Sequence, residues 1–167
     1  MDKLYAPWRD RYVKSQIGGH KDGACVFCVL FDGQEPDDKR YILYRDSDIA
    51  VILNLYPYNG GHIMVIPVQH RQELYDIDQR VQHKMIQATS MSTKILKQAL
   101  ACDGLNMGAN IGRNSGAGIP EHLHIHVVPR FAGDTGFFTT IADSKQISVD
   151  LHELYKKLKP YFENIAF

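Results

Sequence analysis

The sequence predicts an α+β domain: an antiparallel sheet of about five strands, one long helix packed on it, and a second helix near the C-terminus. Short apolar or alternating runs bounded by turn-forming residues are typical of β-strands. A longer segment, from Asp78 to Cys102, instead repeats its apolar side chains at helical spacing. The strand-like runs and the two helical segments together lead to this fold class.

Four strands are predicted before a histidine-rich segment, and turn signals separate them. Asp46-Ser47-Asp48, between the first two strands, indicates a hairpin. Pro57 with the paired Gly60 and Gly61 predicts a loop ahead of the third, nearly all-apolar strand. The polar stretch 31–39 is predicted to be a loop. The four strands are Arg40–Arg45, Ile49–Leu55, His62–Pro67 and Leu105–Ile111.

The long helix is predicted from its apolar stripe. Asp78 is a candidate N-cap and Gly104 a candidate stop, while His83 lies off the stripe and is expected to be exposed. A second helix is predicted from Val149 to Leu158, because Pro160 disfavours helical backbone in the residue before it. The stripe comprises Val81, Met85, Ala88, Ser92, Ile95 and Ala99, widened by Ile86, Leu96 and Leu100.

Length and charge limit the classes of function. The 167 residues fit one domain, 1–167, with an N-terminal arm over 1–22 and a C-terminal helix and tail over 146–167. The aromatic residues of the arm either pack on the body or contact substrate. The 19 Lys and Arg balance the 19 Asp and Glu, so the chain lacks the basic footprint of a nucleic-acid binder. No apolar run approaches a membrane span or a signal segment, which predicts a cytoplasmic protein.

The segment 121–130, Glu-His-Leu-His-Ile-His-Val-Val-Pro-Arg, alternates polar and apolar residues and is predicted to be a strand. His122, His124 and His126 would line one face of it, and the apolar residues the other. A lone histidine on a strand is usually structural, but three alternate ones beside a glycine-rich loop favour chemistry. A three-histidine zinc site is the alternative, although the outer two side chains would lie about 13 Å apart.

A neutral imidazole suits nucleophilic attack on phosphorus, since a covalent phosphoramidate divides one difficult substitution into two easier ones. One nitrogen must be free to attack while an acceptor holds the proton of the other. A second histidine on the same face can touch the phosphate oxygens or the leaving group. The preceding loop, 112–118, contains Gly112, Gly116 and Gly118. Its backbone amides can approach a phosphate, or it can be only a connection.

The run His122-Leu123-His124-Ile125-His126-Val127-Val128 resembles the signature of the histidine-triad superfamily of nucleotide hydrolases and transferases. Asn54 and Gly61-His62, ahead of an apolar strand, are similar to the family's nucleotide-binding segment. The resemblance implies a histidine-triad fold and a homodimer. It is greatest to the bacterial diadenosine-tetraphosphate phosphorylase branch, through Leu4–Arg9, Leu53–Pro67, Asn106–Asn110 and His122–Asp134.

The resemblance also implies roles for individual residues. His124 would attack the α-phosphate and become nucleotidylated, while His126 would hydrogen-bond the phosphate region. Asn54 and His62 would contact the ribose or phosphates. The phosphate chain would be bound by Asn110, Ser115, Gly116, Ala117 and Gly118.

Gly118 bears on the type of reaction. Many hydrolases of the family carry a glutamine at this position, whereas the phosphorylase branch has a small residue that can leave room for inorganic phosphate. The resemblance therefore implies cleavage of a dinucleoside polyphosphate such as diadenosine tetraphosphate, with phosphate or water as acceptor and no organic cofactor. A nucleoside phosphoramidase is the nearest alternative. A non-catalytic nucleotide sensor is the alternative of another class.

Cys25 and Cys28 form a C-x-x-C pair, a spacing that lets two thiolates bind one metal ion. From the residues alone, the pair fits zinc, a thioredoxin-like redox pair or chance. In similar proteins of the superfamily, a zinc site is completed by a histidine after the central strand and by the first triad histidine. The matching positions are His70 and His122, so the resemblance implies a structural Zn²⁺ held by these four residues.

Overall fold

The predicted strands and helices are present in the computed structural model, which describes residues 24–134, 136, 141, 149–163, 165 and 167. The predicted N-terminal arm lies outside the described residues. The strands are β1 (Ile42–Arg45), β2 (Ile49–Leu53), β3 (Ile63–Pro67), β4 (Gly104–Gly108) and β5 (Ile125–Arg130). The helices are α1 (Val26–Asp32), α2 (Asp37–Arg40), α3 (Gln79–Leu100) and α4 (Leu151–Glu163), with 3-10 turns at Leu74–Asp76 and Arg113–Ser115.

The five strands form one antiparallel sheet in the order β1-β2-β3-β5-β4. The strand β5 therefore lies inside the sheet, between β3 and the edge strand β4. His126 of β5 lies opposite Met64 of β3 and Gly108 of β4. The α+β prediction is confirmed, and the third histidine of the triad lies on a strand that is paired with a neighbour on each side.

Successive residues of the inner strands point to opposite faces, and different helices cover the two faces. On one face, Val65 packs in a core that includes Leu96 of α3 and Phe162 of α4. On the other face, Met64 packs with Phe27 of α1. Removal of apolar surface from water on both faces stabilises this arrangement, and it fixes α1 over the second face.

The long helix α3 begins as predicted, because Asp78 accepts a hydrogen bond from the backbone N–H of Arg80. It ends at Leu100, followed by Ala101 as a C-cap in the left-handed conformation, and the predicted stop at Gly104 is wrong. The placement of Ile86 on the buried stripe is wrong, since its side chain is 57% exposed. Each residue turns the helix by about 100°, which carries Ile86 off the face that buries Met85. The rest of the stripe is buried or half-buried, and His83 is exposed as predicted.

The prediction that the C-terminal helix spans Val149–Leu158 and ends before Pro160 is wrong. The helix α4 continues to Glu163 with Pro160 inside it. Leu158 and Phe162, one turn apart, are both buried in the core. Their packing keeps the chain helical past the proline, although proline cannot donate a backbone hydrogen bond.

The observed strands differ from the predicted ones mainly at their ends. The second strand stops at Leu53 and not at Leu55, because Asn54 Oδ1 accepts a hydrogen bond from Tyr56 N and starts a turn. The stretch 31–39 is a loop only in its middle, since its ends belong to α1 and α2. The other corrected bounds are the start of β1 at Ile42, the start of β3 at Ile63, the span Gly104–Gly108 for β4 and the start of β5 at Ile125.

Within the described part of the chain, no helix combines the length and the apolar character that crossing a bilayer requires. Cys25, Cys28 and Cys102 are all free thiols.

Candidate functional site

The three triad histidines lie on the same side of the sheet, under α1. His126 belongs to β5, whereas His122 and His124 precede it in extended chain. The ring centroids of His124 and His126 are 4.7 Å apart. Phe27 of α1 contacts the rings of His122 and His124 edge-on, with centroids at 5.4 and 5.2 Å. Leu123 points into the opposite core, so the alternation read from the sequence is confirmed.

His124 is held as a neutral imidazole with a defined tautomer. Its Nδ1 lies 2.8 Å from the backbone oxygen of His122. Because a carbonyl oxygen can only accept, the proton of His124 resides on Nδ1 and the lone pair on Nε2. Burial lowers the pKa of His124, whose side chain is only 4% exposed, and this favours the neutral ring. Nε2 is therefore an available nucleophile.

A buried histidine from another segment, His62, hydrogen-bonds the ring of His126. Tyr58 N donates to Nδ1 of His62 at 3.0 Å, and the side-chain amide of Asn54 lies 3.2 Å from the same nitrogen. The proton of His62 is therefore on Nε2, which donates to Nδ1 of His126 at 2.9 Å. Burial lowers the pKa of His62 to about 3, so it stays neutral. The proton of His126 then resides on its Nε2.

The sequence-predicted nucleotide residues fall into two groups. Asn54 and His62 come together behind His126, and His62 is fully buried. Asn110 follows β4 two residues after Gly108, the residue paired with His126, which places it near the triad. The loop Ser115–Gly118 is mostly exposed. The contact of this loop with phosphate stays a prediction.

Cys25, Cys28, His70 and His122 form a cluster that could bind a metal ion. One ligand atom from each lies within 4.8 Å of all the others. Cys25 Sγ and Cys28 Sγ lie 3.3 and 3.8 Å from Nδ1 of His122, and Cys28 Sγ lies 3.3 Å from Nδ1 of His70. Cys25 caps α1 and Cys28 lies in its first turn, so one helical turn brings the two sulfurs to the same place.

The surroundings of this cluster suit a cation. His122 Nε2 donates to the backbone oxygen of Pro67 at 2.8 Å, which leaves the lone pair of Nδ1 directed at the sulfurs. Such a carbonyl partner commonly orients a ligating histidine. Burial raises the pKa of Cys25 to about 11 and lowers that of His122 to about 4. A cation would counter the first effect by stabilising the thiolate.

Sequence reasoning missed two contributors to the site. Phe27, 2% exposed, contacts the rings of both His122, a residue of the metal cluster, and His124. The backbone N–H of Tyr58 sets the tautomer of His62, and the ring of Tyr58 stacks on His62 with centroids 4.8 Å apart. Phe27 could have been found from the sequence, because it is an aromatic residue between the two cysteines of the C-x-x-C pair. A backbone donor leaves no signal in the sequence.

Comparison with known proteins places this geometry in a family. The HIT domain family model matches residues 35–133. An AP-4-A phosphorylase of Mycobacterium tuberculosis is 34% identical over 152 residues, which cover 88% of this chain and 77% of that protein. An uncharacterized HIT-like protein of Methanocaldococcus jannaschii is 30% identical over 135 residues, covering 81% of this chain and 98% of that protein.

Solved structures of histidine triad proteins also superpose on this chain. A zinc-bound histidine triad family protein from Mycobacterium smegmatis superposes with a TM-score of 0.67 at 28% identity, over 83% of this chain and 93% of that chain. A hypothetical histidine triad nucleotide-binding protein from Sulfolobus tokodaii superposes with a TM-score of 0.66 at 29% identity, over 84% and 93% of the two chains. The chain described here belongs to the HIT domain family, the histidine-triad proteins.

Proposed function

We propose that this protein transfers a nucleotidyl group from a dinucleoside polyphosphate, such as diadenosine tetraphosphate, to inorganic phosphate through a covalent nucleotidyl-His124. The observation that carries the proposal is the buried, neutral His124 ring, whose Nδ1 proton is held by the backbone oxygen of His122. That arrangement leaves Nε2 as the nucleophile. The similarity to an AP-4-A phosphorylase supports the choice of substrate.

The reaction would proceed in two displacements at one phosphorus. In the first, Nε2 of His124 attacks the α-phosphorus, a P–N bond forms, and the P–O bond to the rest of the substrate breaks. With diadenosine tetraphosphate the released product is ATP. The oxygen that leaves can accept a hydrogen bond from Nε2–H of His126, and the backbone oxygen of His122 stabilises the positive charge that develops on the attacking ring.

In the second displacement, an oxygen of inorganic phosphate attacks the same phosphorus. The P–N bond breaks, Nε2 of His124 regains its lone pair, and ADP leaves. Gly118 supports phosphate as the acceptor, because glycine leaves space where many hydrolases of the family carry glutamine. Asn54, Asn110 and the loop Ser115–Gly118 are proposed to hold the nucleotide and its phosphates.

Product analysis tests the reaction. The protein is incubated with diadenosine tetraphosphate, with and without phosphate, and the nucleotides are separated by chromatography. ATP and ADP that form only with phosphate support the proposal. AMP and ATP that form regardless of phosphate identify a hydrolase. Turnover of a nucleoside phosphoramidate alone identifies a phosphoramidase, and binding without any product identifies a sensor.

The nucleophile is tested by substitution. His124→Ala is expected to abolish turnover while nucleotide binding is largely kept, because only the attacking atom is lost. His83→Ala, which removes an exposed histidine from α3, is the matched control and should keep wild-type turnover. Retained turnover in His124→Ala would eliminate this mechanism.

We propose that the Cys25, Cys28, His70 and His122 cluster binds a structural Zn²⁺. Zinc bonds to sulfur and nitrogen of about 2.0–2.3 Å in a tetrahedron require ligand atoms roughly 3.3–3.8 Å apart. The three sulfur–nitrogen distances given above, 3.3, 3.3 and 3.8 Å, fit this range. A zinc content well below one per chain in protein purified without chelator would contradict the proposal.

The assembly and its location are also proposals. The family resemblance supports a homodimer that acts in the cytoplasm and takes small nucleotides, not nucleic acid or membrane, as partners. Sedimentation equilibrium of the purified chain tests the homodimer, for which a monomer mass would be the contrary result.

A further inference from the structure

The loop between β2 and β3, residues 54–62, is attached to the end of β5 by one buried side chain. Asn59 is 7% exposed. Its Nδ2 donates to the backbone oxygen of Pro129 and to Oδ2 of Asp134, both at 2.9 Å. The same carboxylate accepts from Nε of Arg130 at 2.7 Å, which fixes the acceptor in place.

The backbone of this loop is equally constrained around His62. Asn59 O accepts from His62 N at 3.1 Å, and His62 O accepts from Asn54 N at 2.9 Å. Gly61 has a φ of 87°, and a Cβ there would collide with Leu100. The chain therefore returns to β3 along one path. The Asn59 side chain connects this path to the end of β5.

The path of this loop determines which ring nitrogen of His126 carries the proton, through Tyr58 and His62. Tyr58 N, the residue before Asn59, donates to Nδ1 of His62. His62 must then donate from Nε2 to His126, and His126 must carry its proton on Nε2. If Tyr58 N moved away, only the Asn54 side-chain amide would still face Nδ1 of His62, and His62 could adopt the other tautomer. Nδ1 of His126 would then become the protonated atom, and its Nε2 would present a lone pair, which repels a phosphate oxygen.

We propose that Asn59 is a positioning residue of the reaction: by clamping the loop to Pro129 and Asp134, it holds Tyr58 N against His62 and thereby keeps His126 as a hydrogen-bond donor to the phosphates. This inference rests on the proposed function for its kinetic consequence, but the tautomers themselves are a property of the free protein. The amide is specifically required. A carboxylate at position 59 would face the Pro129 oxygen and Asp134 with no proton to donate.

The test combines kinetics with imidazole ¹⁵N NMR on Asn59→Ala, Asn59→Asp and the milder Asn59→Ser, which keeps one donor. We expect kcat for phosphorolysis of diadenosine tetraphosphate to fall about 10- to 100-fold in Asn59→Ala, as when other partners that fix a histidine tautomer are lost. KM should change little, and Asn59→Ser should be intermediate. In the wild type, the NMR should show Nδ1 of His62 and of His126 unprotonated, and the alanine variant should lose this pattern.

Thr89→Ala is the matched control, because it removes another buried side-chain hydrogen bond, from Thr89 to Met85 O inside α3, away from the site. It should lose stability but keep kcat and the tautomers. An equal fall of kcat in Thr89→Ala, or wild-type kcat and tautomers in Asn59→Ala, would overturn the inference. Protonated Nδ1 on His62 in the wild type would overturn it even if the enzyme phosphorolyses its substrate. The expected tautomers with no turnover would refute the proposed function instead.

Discussion

His122 contacts the metal cluster through its ring and His124 through its backbone oxygen. Its ring presents Nδ1 to the sulfurs of Cys25 and Cys28, while its backbone oxygen accepts the Nδ1 proton of His124. The second contact does not depend on the identity of the side chain. The first histidine of the triad is thus joined to His124 by its main chain and to the sulfurs of the candidate metal cluster by its ring.

This division predicts separable effects of substitution. His122→Ala should lower metal content and reduce kcat on the order of 10- to 100-fold, the usual effect of losing an orienting group, without abolishing turnover as His124→Ala does. His70→Ala, which removes an exposed ligand of the same cluster, should also lower metal content but should lower kcat less than His122→Ala does, because the His122 ring beside His124 is kept. Metal analysis and kinetics on the same preparations check this. A dead His122→Ala that retains full metal content would contradict it.

At the same scale, the sequence reveals the common face of the histidines but not the depth of each ring. A period of two is a local property, and it predicted which side chains share a face. The burial of His62 and its bond to His126 follow from pairing β3 with β5, whose residues are far apart in the chain. The sequence predicts a loop around Asn59 but not the hydrogen bonds of its side chain, because their acceptors, Pro129 and Asp134, are 70 and 75 positions away in the chain.

Among the elements, the β1–β2 hairpin depends on one ionised turn residue. Asp46 Oδ1 accepts from the backbone N–H groups of Asp48 and Ile49, while its Oδ2 contacts Tyr44 and Lys84. Burial disfavours the charge, but the hydrogen bonds from Lys84 and Tyr44 outweigh it and lower the pKa to about 2 from its ordinary 3.8. The turn was predicted from Asp46-Ser47-Asp48, but the contact with Lys84 of α3 was not.

This lowered pKa predicts a pH dependence of stability. Because the folded state favours the carboxylate, its contribution of about 2 kcal/mol should be complete above the ordinary pKa and be lost as the pH falls through about 2. Asp46→Asn keeps Oδ1 as an acceptor but removes the charge. It should unfold more easily at neutral pH and lose less stability between pH 4 and pH 2, roughly the interval between the two pKa values. Urea unfolding across this range tests it, and parallel curves for the two proteins would contradict it.

Helix α4 marks a limit of local sequence rules. Pro160 disfavours helix in any isolated segment, and the prediction accordingly ended there. Packing of Leu158 and Phe162 overrides this preference, but the cost of the proline remains in the folded state. Pro160→Ala should therefore raise the free energy of unfolding by about 1–3 kcal/mol, measured by urea titration. Lys157→Ala, an exposed change in the same helix, is the control, and an equal gain there would show that the proline was not responsible.

In the whole molecule, the candidate metal cluster joins three segments that are distant in sequence. Cys25 and His122 are 97 positions apart, and Cys28 and His70 are 42 apart. The connection brings α1 over the sheet, where Arg40 and Arg45 donate to carbonyl groups at the end of this helix. The C-x-x-C spacing alone left a redox pair open, because only the assembled fold brings the two histidine nitrogens to the sulfurs.

Removal of the metal should therefore affect both stability and turnover. Without it, the sulfurs and Nδ1 of His122 lose their common partner, α1 is less firmly held, and Phe27 no longer packs firmly against His124. Chelator treatment should lower the midpoint of thermal unfolding by several degrees, as expected for a loss of about 1–3 kcal/mol, and should lower kcat. Added Zn²⁺ should restore both. Cys28→Ser is the control, since a protein that has already lost the site should not respond to chelator. A chelated wild type with an unchanged midpoint would show that the cluster binds no structural metal.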